Sequence, residues 1–175
     1  MSEAGIGAKY GPRSPNLVKI SRIISGGQTG ADQGGLAAAK KLGLPTGGWM
    51  PRGFITESGP RPDFAKSYGM REHSEAGYAA RTEANVIDAD GTLIVGDISS
   101  AGSYDTRDFC VKHKKPYYVL RWHSGEPAPL ASVSDFRHWL AAHHIRVLNV
   151  AGNRESGQGG IYETVREFLL KALEN

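Results

Sequence analysis

Ser25 to Gly35, SGGQTGADQGG, places five glycines in eleven residues between an apolar run and an alanine-rich one. The run before it, Val18-Lys19-Ile20-Ser21-Arg22-Ile23-Ile24, reads as a strand, and Leu36-Ala37-Ala38-Ala39-Lys40-Lys41-Leu42 reads as a helix ended by Gly43. A strand, a glycine loop and a helix in that order let main-chain N–H groups approach a ligand. The unpaired amides and dipole at the helix start favour an anion there. A tight turn without a ligand would account for the glycines alone. Gln28, Thr29 and Asp32 add side-chain donors and acceptors that such a turn does not need. The stretch therefore predicts a phosphate held on the amides of Gly26–Ala31, with Gly26, Gly27, Gln28, Thr29, Gly30 and Asp32 as ligand-binding residues.

Further along, short apolar runs alternate with helical patterns. Strands are expected near 19–25, 44–49, 92–96, 116–120 and 146–150, and Thr92-Leu93-Ile94-Val95-Gly96 has the continuous apolar character of a strand buried on both faces. Helices are read from Ala76, Ala80, Ala84 and Ile87, from Tyr104 to His113, from Phe136, Trp139, Leu140 and His143, and from the stripe Ile161, Val165, Phe168, Leu169, Ala172 and Leu173. This alternation predicts an α/β protein, a three-layer Rossmann-like fold with a mostly parallel sheet of about five or more strands. Residues 1–17 read as a flexible N-terminal arm and 18–175 as one ligand-binding domain. The segment from Met50 to about Ser74 is far longer than an ordinary connection and reads as a covering loop or an interface, with disorder as the alternative.

Ligands of parallel sheets bind beyond the carboxyl ends of the strands. That rule selects two more loops, Gly96–Ser103 and Ala151–Gly160, each rich in Gly and small polar residues and each opening a helix. With the first loop they would gather three helix N-termini around one crevice, where Arg154 could bind phosphate through two bonds and Ser99, Ser100 and Ser156 complete the donor set. Asp97, ending a buried strand there, is expected to bond a ligand or to support the loops.

Several chemistries are disfavoured by the sequence. No lysine follows the glycines as a GxxxxGK[ST] loop requires, and the GxGxxG fingerprint with an acid closing the second strand is missing. The six histidines show no HExxH or similar spacing, so no metal site is predicted. No GxSxG elbow occurs, and Cys110, the only cysteine, lies within a helical stretch as a buried thiol. The net charge of +3 arises from residues 1–22, where Lys9, Arg13, Lys19 and Arg22 stand against Glu3, which argues against nucleic acid as a partner. With no apolar span of membrane length and no signal-like core, a cytoplasmic protein without membrane contact is expected.

Three segments together resemble a known family: SGGQTGADQGGLAAAKKLGLPTGGWMPRGF (25–54), RTEANVIDADGTLIVGD (81–97) and LNVAGNRESGQGGIYETV (148–165). They are similar to the molybdenum cofactor carrier proteins, a Rossmann-like branch related to the "lonely guy" phosphoribohydrolases, over about residues 20–173. The resemblance implies binding, storage or transfer of molybdenum cofactor (molybdopterin), a pterin dithiolene ending in a phosphate. It also implies a homo-oligomer, dimer or tetramer, with molybdoenzymes or cofactor-synthesis proteins as partners. It carries Gly26–Gly30 and Asp32, then Gly152, Arg154, Glu155 and Ser156, into the site. The middle loop departs, with Ala101-Gly102-Ser103-Tyr104-Asp105-Thr106 in place of a Gly-Gly-Thr turn and Asn153 in place of proline. Ser99, Ser100, Gly102, Thr106 and Asn153 are then expected to line the ligand. The glutamate of the hydrolases' PGGxGTxxE motif is replaced by Phe109, which favours a carrier with no catalytic residues. The alternatives are a nucleotide-binding phosphoribohydrolase using Arg154 and Glu155, and a nucleotide sensor.

Overall fold

A computed structural model describes residues 19–174; the expected arm over 1–17 lies outside the described residues. The chain runs β1 (Arg22–Ser25), α1 (Ala31–Lys41), β2 (Thr46–Met50), β3 (Ile55–Thr56), β4 (Gly59–Pro60), α2 (Asp63–Tyr68) and β5 (Met70–Glu72). It continues with α3 (Tyr78–Asp88), β6 (Gly91–Val95), α4 (Ala101–Lys112), β7 (Tyr117–Leu120), α5 (Val133–Ala142), β8 (Val147–Gly152) and α6 (Ile161–Leu173). Six strands form one sheet in the order β5-β2-β1-β8-β6-β7, with every neighbouring pair parallel.

The period-two alternation of strand side chains sorts the core into two layers. Ile23, Leu93, Val95, Leu148 and Val150 point into a cluster with Phe136 of α5 and Val165, Phe168 and Leu169 of α6, and α1 packs in the same layer through Ala38 and Ala39. Full burial of Phe136 and Phe168 contributes about 1.5–3 kcal/mol each. The intervening positions, Thr92, Ile94 and Asn149, face the other side, where α3 and α4 pack on each other and on β8. Cys110 of α4 is fully buried, and burial pushes its thiol up.

The sequence-based expectations need two corrections. Residues 50–74 are not one covering loop: they fold into the β3–β4 hairpin, α2 and the edge strand β5, which adds a sixth strand. β5 has three residues, too few to display an alternating pattern. Ile87 is 47% exposed, because α3 turns Asn85 and Val86 toward the sheet instead. Asp90, just ahead of β6, also ties two strands together. Its carboxylate accepts from the amides of Arg146 (2.9 Å) and Val147 (2.7 Å), fixing the entry of β8 alongside β6.

Candidate functional site

The adjacent strands β1, β8 and β6 send their carboxyl-end loops to one cleft of about 350 Å³. Among the residues expected there, Gly26, Gln28, Asp32, Ser100, Gly102, Thr106, Gly152, Asn153, Arg154 and Ser156 line it. Asn153 stitches the loops together. Its N–H donates to Val95 O (3.2 Å), its Oδ1 accepts from Asp97 N (2.6 Å), and its carbonyl accepts from Ala31 N (3.1 Å). Gly96, at φ 104°, permits this knot, since a Cβ there would fall 2.0 Å from Asn153 Oδ1.

Gly27, Thr29, Gly30, Asp97, Ser99 and Glu155 are not in the cleft lining. Asp97 accepts from both the amide and the hydroxyl of Ser99 at 2.8 Å, bonds that hold its carboxyl below the usual carboxylate range. It thus supports its own loop and occupies the Ser99 hydroxyl.

Four amides of the segment Gly26–Ala31, where a phosphate is expected, donate within the protein. Gly27 N donates to Ser25 Oγ (3.1 Å), Gln28 N to Asp32 Oδ2 (3.2 Å), Thr29 N to Gln28 Oε1 (3.0 Å) and Ala31 N to Asn153 O. The loop therefore wraps an internal carboxylate, which Arg81 of α3 reaches through Nη1 at 3.3 Å. Burial pushes the Asp32 carboxyl up, while Arg81 and the Gln28 amide pull it down.

The helix N-termini divide in a similar way. Both oxygens of Glu155 cap α6, accepting from Gly160 N (2.5 Å) and Tyr162 N (3.0 Å), so this carboxylate is a structural cap. The start of α1 is closed by Asn153 and Gln28. At α4, Ser100 makes no side-chain cap, and the amides of Ala101, Gly102 and Ser103 have no acceptor among the described residues. Of the three helix N-termini expected at the cleft, that of α4 is therefore the open one, and the first turn of α3, uncapped at Gly77, also lines it. Arg154 is exposed on the same cleft, its guanidinium 4.8 Å from the ring centroid of Tyr78, and forms no salt bridge among the described residues.

Two important groups were not found from the sequence. Glu57, on the β3–β4 hairpin, accepts from the hydroxyls of Thr29 and Ser156 and from Ser156 N (3.3 Å), while its own amide donates to Gln28 Oε1 (2.8 Å). Its desolvation acts upward, but the bonds from Ser156 and Thr29 and the nearby Arg154 outweigh it and hold its carboxyl low. The hairpin is thereby clasped to the first and last loops. Arg81 was the other omission. Its signal was present in the i, i+4 pair Arg81 and Asn85, which puts two polar residues on one face of α3. That face meets the sheet, where Asn85 bonds both the N–H and the carbonyl of Trp49. Among the described residues no group of His, Cys, Asp and Glu is arranged to hold a metal ion, and no helix is long and apolar enough to cross a membrane.

A parallel six-stranded sheet between helical layers, with one cleft at the carboxyl ends of three adjacent strands, defines a Rossmann-like α/β protein. The chain belongs to the circularly permutated YpsA SLOG family, whose model matches residues 23–173. It is similar to a solved crystal structure from Syntrophus aciditrophicus SB, that of a protein described as a putative molybdenum carrier protein. The two share 38% identity over 89% of this chain and 96% of that one, with a TM-score of 0.78. No curated protein matches the chain. The family resemblance and the fold class read from the sequence are both borne out.

Proposed function

We propose that this protein binds molybdenum cofactor in the cleft and holds it for transfer. The observation that carries the reading is the pairing of the open α4 N-terminus with Arg154 on one cleft: three amides without acceptors and a guanidinium without a carboxylate partner suit a terminal phosphate. Ser100, Gly102 and Thr106 lie at that end, and Ser156 joins it beside Arg154. A cleft of about 350 Å³ lies within the size range of small-molecule sites. The similarity to the Syntrophus protein supports a molybdenum-related ligand. We place the phosphate there rather than on Gly26–Ala31, four of whose amides already donate within the protein.

A nucleotide phosphoribohydrolase is the competing reading, favoured by one observation. Asp105 lines the cleft without a hydrogen-bond or salt-bridge partner among the described residues, and could serve as an acid or base there. Glu155, the carboxylate first considered for that chemistry, is engaged at the start of α6. The test is a titration with extracted cofactor beside a chromatographic assay for adenine released from adenosine monophosphate. Tight cofactor binding without adenine release is expected. Steady release that disappears in Asp105→Asn would replace the carrier reading with the hydrolase.

A further inference from the structure

At the end of the cleft bounded by α1 and α3, two buried hydrogen-bond donors have no partner. Gln28 is 5% exposed, and its Oε1 accepts from the amides of Thr29 (3.0 Å) and Glu57 (2.8 Å). Those two donors fix which way the amide points, so the group left over is the Nε2 amine, unpartnered among the described residues. Arg81 spends Nη1 on Asp32, and its Nε is likewise buried and unpartnered. Both residues hang from one carboxylate oxygen, since Asp32 Oδ2 accepts from the Gln28 amide and from Arg81, and both line the cleft. Neither free group can act as an acceptor. A buried donor left unpaired is costly, and such costs are met at sites where a ligand supplies the missing atom.

Asn149 adds the third element. It is 2% exposed and lines the same cleft, with Nδ2 3.3 Å from Thr92 Oγ1 and Oδ1 unpartnered. We propose that Gln28, Arg81 and Asn149 form the specificity end of the site, selecting a heterocycle with a lactam edge. The ring carbonyl would accept from Gln28 Nε2 and Arg81 Nε, and the adjacent ring N–H would donate to Asn149 Oδ1. A 4-oxopterin or a 6-oxopurine presents that pattern. An amino-substituted ring such as adenine presents the reverse, an N–H donor against two donors and a bare ring nitrogen against an acceptor. The inference deepens the ligand reading above and rests on the cleft being the binding site.

The test is calorimetry on the full chain with two matched pairs, inosine against adenosine monophosphate and a phosphorylated 4-oxopterin against its 4-amino counterpart. The oxo member of each pair should bind more tightly by about tenfold or more. Gln28→Glu keeps the acceptor for Thr29 and Glu57 but removes the donor, and Arg81→Lys keeps a cation for Asp32 but removes the Nε–H. Each should bring the ratio toward one in protein that still melts cooperatively. Equal affinity within both pairs, an unchanged ratio in both variants, or no binding of either oxo probe at about millimolar concentration would overturn the proposal. If extracted cofactor fails to bind while the oxo preference holds, the carrier reading falls and the subsite stands. Cofactor binding without an oxo preference means the reverse.

Discussion

Replacing Gly26 by alanine should expel Arg81 from the cleft. Gly26 is outside the left-handed region, so its backbone can accept a side chain, and the effect is one of space. A Cβ at this position would fall 1.3 Å from Arg81 Nη1, 2.4 Å from Cζ and 2.8 Å from Asp32 Oδ2. The guanidinium cannot stay. The side chains of Arg81 and Asp32 are 12% and 5% exposed, so the carboxylate loses its cation in a largely water-free setting. Breaking such a pair by removing one partner costs about 3–5 kcal/mol. For a chain of this length each kcal/mol lowers Tm by about 2–4 °C, which gives a fall of roughly 6–20 °C in a thermal melt. Because burial pushes the Asp32 carboxyl up, a proton taken up there relieves the unpaired charge, and the deficit should shrink as pH falls. Arg81→Met should cost a similar amount, and the double variant should lose little more than Arg81→Met alone. A Gly26→Ala protein melting within about 2 °C of the parent, or additive losses in the double variant, would refute the crossing of Arg81 over Gly26.

Two more predictions concern groups that shape the cleft from outside its lining. The depressed Glu57 carboxyl contributes stability above its unfolded pKa, and that contribution disappears as pH falls through its lower folded value. The hairpin clasp should therefore hold at neutral pH and open in acid below the ordinary glutamate range. Amide resonances of Ser156 and Glu57 should shift together in that window, and the transition should be missing in Glu57→Gln. Glu155→Ala should destabilise the fold by about 0.5–2 kcal/mol through the loss of the α6 cap, read by denaturant unfolding, while leaving the oxo-ligand affinity within about threefold.

Much of the fold was legible because it is locally encoded. The run into Ser25, the glycines after it and the stripe from Ile161 to Ala172 each carry a pattern within a dozen or so residues. β5 was not legible, since its place at the sheet edge depends on pairing with β2 across about twenty residues. The carboxyl-end rule selected three loops that meet at one cleft, and ten of the expected residues line it. It could not tell an amide facing a ligand from one facing a neighbour. That difference was decided by long-range partners: Arg81 for Asp32, forty-nine positions away, and Glu57 for Ser156, ninety-nine away. A glycine-rich loop before a helix predicts an anion, and here the Gln28 amide of that loop donates to the carboxylate of Asp32.

In the proposed function the cleft holds a phosphorylated pterin, anchored at the α4 N-terminus by Arg154. The most direct measurement is the fluorescence of oxidised pterin recovered per chain from protein purified out of cells that make molybdenum cofactor, compared between the parent chain and Arg154→Ala. A charged hydrogen bond to phosphate contributes roughly 1.5–3 kcal/mol, so the variant should retain about a tenth or less of the bound pterin under equal dilution while melting at the same temperature. Parent protein that carries no pterin, or a variant that carries as much as the parent, would contradict the account.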